Sequence, residues 1–217
     1  MGLAAYLEIR PGVTAVIGSG GKTSLLRELA KELPGTVLLT TTTHIFPFDG
    51  VPLLESPDRE TLRTALLRAR VVCAGMPDPK TGKLSALPYE LTGLADFVLA
   101  EADGSHGLPL KAHEDWEPVI PPGAGRTVLV VGLSGLGRPI AEVCHRPARF
   151  AALCGAAERD AATAERVAAV LNREALADVI LLNQAEGRRE EAAALAALLR
   201  TPVVIGSLWK GEFSCWY

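Results

Sequence analysis

One stretch near the start of the chain constrains the fold more than any other. Residues 13–17 are an apolar run with β-branched members, the pattern of a buried strand. The run leads straight into Gly18-Ser19-Gly20-Gly21-Lys22-Thr23-Ser24. From residue 24 to residue 33, apolar side chains recur at Leu25, Leu26, Leu29, Ala30 and Leu33, which is one face of a helix, and Pro34-Gly35 stops it. A second β-branched strand follows at residues 36–42. A strand that turns through glycines into a helix and returns as a strand is a crossover unit, and such units build parallel sheets.

The glycine turn has its own chemistry. Without Cβ atoms, consecutive backbone N–H groups can curl around phosphate oxygens, and the helix that opens there adds the positive end of its dipole. Lys22 is placed to reach the outer phosphates and the Thr23 hydroxyl to ligate magnesium. The expected ligand is a nucleoside triphosphate, ATP or GTP, with Mg2+, held by Gly18, Ser19, Gly20, Gly21, Lys22, Thr23 and Ser24. The spacing departs from the Walker A pattern G-x-x-x-x-G-K-[ST]: counting back from Gly21 puts Val16 where the first glycine should stand. The shorter G-x-x-G-K-T resembles the loop of Mur ligases and folylpolyglutamate synthetases. The signature lysine of MinD-like ATPases would fall at Ile17, so that match fails.

The same alternation continues. Asp58 reads as the cap of a helix reaching about residue 69. Strands are expected at 71–74, 97–102, 127–131, 179–182 and 203–205, helices at 147–155, 160–172 and 188–199, and a hairpin turn at 80–83. Aromatic residues are only 5% of the 217, so Ala, Leu and Val must build the core, which favours helices packed on a sheet. The expected fold is α/β: a mostly parallel sheet with helices on both faces, a P-loop NTPase-like three-layer sandwich, in a single domain over 1–217. A formal net charge of −3 offers no basic field for a nucleic-acid backbone. No apolar run approaches the roughly 20 residues that span a bilayer. The first eleven residues, with Glu8 and Arg10, lack the apolar core of a secretory signal. Cys73, Cys144, Cys154 and Cys215 form no C-x-x-C pair and no zinc spacing, so they read as reduced thiols. The expected location is the cytoplasm, with neither nucleic acid nor membrane as partner.

In parallel sheets ligands gather at the carboxyl ends of the strands, and the unusual polar clusters fall there. The 97–102 strand delivers Glu101 and Asp103, two apart and therefore on one side of an extended segment. With Thr23 they form a Walker B-like magnesium set, the other carboxylate positioning water or accepting a proton. Thr40 to Thr43 and His44 close the second strand, with Thr43 and His44 as substrate-side candidates. The segment after the acids carries His106, Lys111 and His113; Lys111 supplies charge and His106 is a candidate proton shuttle. A plain solvated loop explains it equally. Gly132 to Arg138 has the order G-x-x-G-x-G, the reverse of the dinucleotide fingerprint, and reads as a flexible loop carrying Arg138 toward the site. His145-Arg146-Pro147 precedes a helix and presents a further cation or a cap. Asn183-Gln184-Ala185-Glu186 resembles the guanine-reading N-K-x-D of GTPases with two of three defining positions changed; Asn183 could fix the loop and Glu186 accept from a base.

The order of these motifs, G-G-K-T at 20–23, T-T-T-H at 41–44, E-A-D-G-S at 101–105 with Lys111, C-H-R-P at 144–147 and N-Q-x-E at 183–186, resembles the selenium-dependent hydroxylase accessory proteins of the YqeC-like family. Cys144 stands at the valine position of the pattern's V-H-R-P, before His145, and residues 209–217 fall outside the pattern. The resemblance implies a P-loop nucleotide-binding protein that helps mature selenium-dependent molybdenum hydroxylases. Composition and spacing say nothing of selenium or molybdenum. The expectation is an NTP hydrolase or small-molecule kinase. Lys22, Glu101, Asp103, His106 and Lys111 do the chemistry, and a molybdenum-cofactor intermediate or another small molecule is the acceptor. The alternatives are a non-catalytic nucleotide switch docking on a hydroxylase, and a Mur-type ligase, for whose additional domains 217 residues leave no room.

Overall fold

The computed structural model describes residues 2–216. Among the described residues, thirteen strands are β1 (Gly12–Gly18), β2 (Val37–Thr41), β3 (His44–Ile45), β4 (Leu53–Glu55), β5 (Val71–Asp78), β6 (Lys83–Ser85), β7 (Phe97–Glu101), β8 (Leu110–Lys111), β9 (Ala124–Gly132), β10 (Cys144–His145), β11 (Val179–Asn183), β12 (Val203–Ser207) and β13 (Glu212–Trp216). The described residues also form seven α-helices, α1 (Leu3–Tyr6), α2 (Lys22–Glu32), α3 (Arg59–Arg68), α4 (Ile140–Val143), α5 (Pro147–Cys154), α6 (Ala164–Glu174) and α7 (Arg189–Ala196). The expected strands and helices are all present. Asp58 caps α3 through its carboxylate, which accepts from Thr61 N–H at 2.7 Å. The tail left unplaced by the sequence becomes β13, an antiparallel edge strand on β12.

The main sheet runs β13-β12-β11-β9-β1-β7-β2-β5-β6-β3, with β4 beside β5. From β12 through β5 every neighbouring pair is parallel, and only the outer strands run antiparallel. Side chains alternate across β1 as a pleated strand requires. Val16 enters one core with Leu25, Leu26 and Leu29 of α2 and with α1. Ala15 and Ile17 enter the opposite core, with Phe150, Val167, Leu171 and Leu195 of α5, α6 and α7. Val13 joins Leu62 and Leu66 of α3. Helices therefore cover both faces of a mostly parallel sheet in three layers, the α/β class expected.

The topology places the site. From central β1 the chain moves first to one side, through β2 and β5, and then crosses to the other, through β9, β11 and β12. The carboxyl end of β1, flanked by β7 and β9, is the switch point where α/β sheets hold their ligands. The glycine turn stands there.

Candidate functional site

Gly18, Gly20 and Gly21 adopt φ of 87°, 83° and 138°, the left-handed region open to glycine at little cost. A Cβ on Gly20 would meet the backbone of Gly132, and one on Gly21 would meet the Asn183 amide. The turn is thus pressed from behind by Gly132 at the end of β9 and by Asn183 at the end of β11. The sequence reading of residues 132–138 as a flexible arm is corrected here. Leu133, Gly135 and Leu136 are buried. Arg138 is exposed and pairs with Glu142 at 3.4 Å.

The first N–H groups of α2 have no carbonyl behind them, and Gly21 provides no side-chain cap. Thr23 and Ser24 are exposed on that turn. Lys22 is buried and folds back across it. Its Nζ donates to Gly18 O at 2.7 Å, sits 2.7 Å from Asp103 Oδ1 and 3.7 Å from Glu101 Oε1. Glu101 and Asp103 do face one side, as their spacing requires.

Asp103 is the hub. It is fully buried, and its Oδ2 accepts from Gly18 N–H at 2.8 Å, lies 2.8 Å from His113 Nε2 and 3.3 Å from Lys111 Nζ. Burial acts to raise this carboxyl. The His113 hydrogen bond and the charges of Lys22 and Lys111 outweigh it and hold the group down at about 2. His113 is itself clamped: Nδ1 is 2.8 Å from Glu174 Oε2, and its backbone N–H donates to Glu174 Oε1 at 2.7 Å. Burial opposes its charge, but the two carboxylates raise it above the usual imidazole range. Glu101 is the opposite case. Burial pushes it up to about 7 against the pull of Lys22, with Asp103 adding to the rise. Its Oε2 is buried without a partner, as is Ser19 Oγ.

Lys111 and His113 are buried, while His106 and Gly107 at the tip of the segment are exposed. Lys111 Nζ donates to Gly104 O at 2.6 Å and reaches Glu117 Oε2 at 3.3 Å. Glu117 Oε2 in turn accepts from Arg146 Nε at 2.9 Å. The pairing of β8 with β10 sets Lys111 beside His145, and His145 stacks on His106 with ring centroids 4.7 Å apart.

Other expected residues divide. Thr43 stays close, its N–H donating to Thr41 Oγ1 at 2.9 Å while that hydroxyl donates to Glu101 O at 2.8 Å. The threonine hydroxyls at 40, 41 and 42 donate to main-chain carbonyls and so serve the backbone rather than a metal. His44 is exposed on β3, opposite Ser85. Asn183 braces the turn: Nδ2 donates to Gly20 O at 2.8 Å and Oδ1 accepts from Leu208 N–H at 3.0 Å, leaving little of it for a base. Glu186 accepts from Ser207 Oγ and lines a cleft of about 910 Å³ between α7 and β12–β13, beside the turn rather than in it.

Sequence reasoning passed over Glu174 and gave His113 no role. Glu174 is the last residue of α6, 61 positions from His113, and nothing local distinguishes it from a solvated helix end.

Fold and site together define a three-layer α/β protein with a glycine turn and a buried lysine–carboxylate cluster at its topological switch point. The family model described as YqeC protein matches residues 14–148, more than half the chain, and the chain belongs to the YqeC family. A relative from Escherichia coli (strain K12), named uncharacterized protein YqeC, is 38% identical over 158 residues, which cover 67% of this chain. The same stretch spans 62% of the relative's own length. No solved structure matches the chain. The family match holds the turn, both acids, Lys111 and the 145–147 segment; Asn183 and Glu186 lie beyond it.

Proposed function

We propose that this chain binds ATP or GTP with Mg2+ at the end of β1, and hydrolyses it or transfers its terminal phosphate. The observation that carries this reading is Lys22. A buried lysine at the first position of a helix, held by Gly18 O and two carboxylates across a turn of glycines, is a cation kept in reserve for phosphate. The open N–H groups of α2 and the exposed Thr23 hydroxyl complete the cradle.

The donor set fits magnesium. Glu101 Oε2 is buried and unpartnered, Thr23 is exposed on the adjoining turn, and Mg2+ favours oxygen ligands shared between one or two carboxylates and phosphates. When bound, the ion supplies charge neutralisation across the outer phosphates. Asp103, already engaged by Gly18, His113, Lys111 and Lys22, orients the lysine, and Glu101 is the carboxylate free to face metal or attacking water.

The accessory role in maturing selenium-dependent molybdenum hydroxylases is supported by family membership alone. A second reading is a nucleotide switch that docks on a partner enzyme. Phe46, Trp116, Val119 and Ile120 favour it, since all are exposed around the strand ends.

Calorimetry with ATP and GTP in magnesium tests the proposal, with Lys22→Ala as control. Saturable binding of either nucleotide, lost in the variant, supports it. Absence of binding of both in the wild type sinks it.

A further inference from the structure

The cationic corner beside the acids is not explained by a phosphate cradle. His106 and His145 stack face to face with 27° between their planes. Arg146 adjoins them, its guanidinium 5.5 Å over the Trp116 ring and tied through Nε to Glu117. That is its one hydrogen bond among the described residues, so both terminal nitrogens of a five-donor fork stay open. Arg146 stands at the N-cap position of α5 and makes no side-chain capping bond there. One turn on, Arg149 Nε is buried with no partner.

Two of these residues pay for their positions. His106 and Arg146 sit at φ of 51° and 65°, a left-handed conformation costing non-glycine residues about 1–2 kcal/mol each. Such strain persists where surrounding structure over-determines it, and it clusters at functional sites. The β8–β10 pairing and the Lys111–Glu117–Arg146 chain do the holding. Burial, with the neighbouring Lys111, His106 and Arg146 adding to it against Glu117, lowers His145 to about 4.

We propose that His106, His145 and Arg146, backed by Lys111, form the binding site for a phosphate group carried by a small organic second reactant. Its role as acceptor rests on the nucleotide reading; its binding does not. The open guanidinium fork matches two phosphate oxygens and the imidazole pair meets the third. Lys111 contacts both Asp103 and Glu117, so the corner adjoins the expected phosphoryl site through one side chain.

The test follows the ring signals of the four histidines by NMR in the full chain, free of nucleotide and metal, while phenyl phosphate, inorganic phosphate or benzoate is added. Phenyl phosphate should shift His106 and His145 together and saturably, leave buried His113 unmoved, and bind more tightly than the other two. Arg146→Gly suits the left-handed backbone, so it should fold while weakening binding at least tenfold; Arg146→Lys should restore only part. Lys22→Ala should change nothing here, which separates failure of this site from failure of the nucleotide site. The proposal is overturned if the two rings do not move or if Arg146→Gly binds as the wild type does. Tighter binding of benzoate rejects phosphate as the group. Equal binding of inorganic phosphate rejects the organic carrier in favour of free phosphate.

Discussion

Glu101 and Asp103 stand two residues apart on one strand end and are driven in opposite directions. Asp103 gains more from its cations than it loses by burial and stays ionised; Glu101 does not. A buried carboxyl held at about 7 rather than 4.5 makes its charged form a cost to the folded state. The cost is absent below the unfolded value near 4.5 and grows as pH rises toward 7. In metal-free buffer Glu101→Gln should therefore stabilise the protein at pH 8 by about 1–3 kcal/mol, and by almost nothing at pH 4.5. Urea midpoints at the two pH values measure this, and an equal gain at both would contradict it. The same substitution should weaken magnesium-dependent nucleotide binding. His113 has the reverse sign. Its raised folded value means its contribution is complete below about 6.5 and is lost as pH climbs through the folded value. His113→Ala strips a partner from two buried carboxylates, which typically costs about 3 kcal/mol. Urea melts should show a larger penalty at pH 6 than at pH 9.

The turn between β1 and α2 is held as an element, not only as a string of glycines. Asn183 at the end of β11 donates to Gly20 O and accepts from Leu208 N–H, joining three segments with one amide. Asn183→Ala should cost about 1–2 kcal/mol globally and should speed hydrogen exchange at Gly20, Gly21 and Lys22 relative to the strand amides of β1. Unchanged exchange there would show that the turn holds its shape without the brace. The elements themselves were legible in the sequence because their signals are local. The apolar run at 13–17, the helical period from Leu25 to Leu33, the Asp58 cap and the alternation of strand with helix each lie within a dozen residues. What stayed hidden is set by contacts between distant positions. The burial of Lys111 and His113 comes from the β8–β10 pairing and α6, Glu174 has no local mark, and the flexible loop read at 132–138 is a packed turn because Gly20 and Gly132 touch backbone to backbone. Arg138 and His44 were placed at the site by their position after strands; both are exposed, Arg138 paired with Glu142 and His44 opposite Ser85.

At the scale of the molecule, the site ties together parts that fold from both halves of the chain. Lys22 comes from α2, Glu101 and Asp103 from the end of β7, Lys111 from β8, Glu174 from α6 and Asn183 from β11. A ligand seated on Lys22 thus loads the central sheet and both helical layers, not one loop. If residues 1–217 form a single cooperative domain, heat should unfold the chain in one transition, and nucleotide should move the whole of it. A ligand at a hundredfold its Kd adds about 2.7 kcal/mol to the folded state. For a chain of this size each kcal/mol raises Tm by about 2–4 °C, so a shift of about 5–10 °C is expected with Mg2+ and the nucleotide that binds. Lys22→Ala should abolish it. Differential scanning calorimetry reads both quantities. Two transitions, with only the earlier moved by nucleotide, would divide the β1–β7 half from the β11–β13 half, and the Asn183 brace and the Glu174 clamp would then be contacts between units instead of parts of one core. A single transition that nucleotide leaves in place would keep the domain and remove the ligand from it.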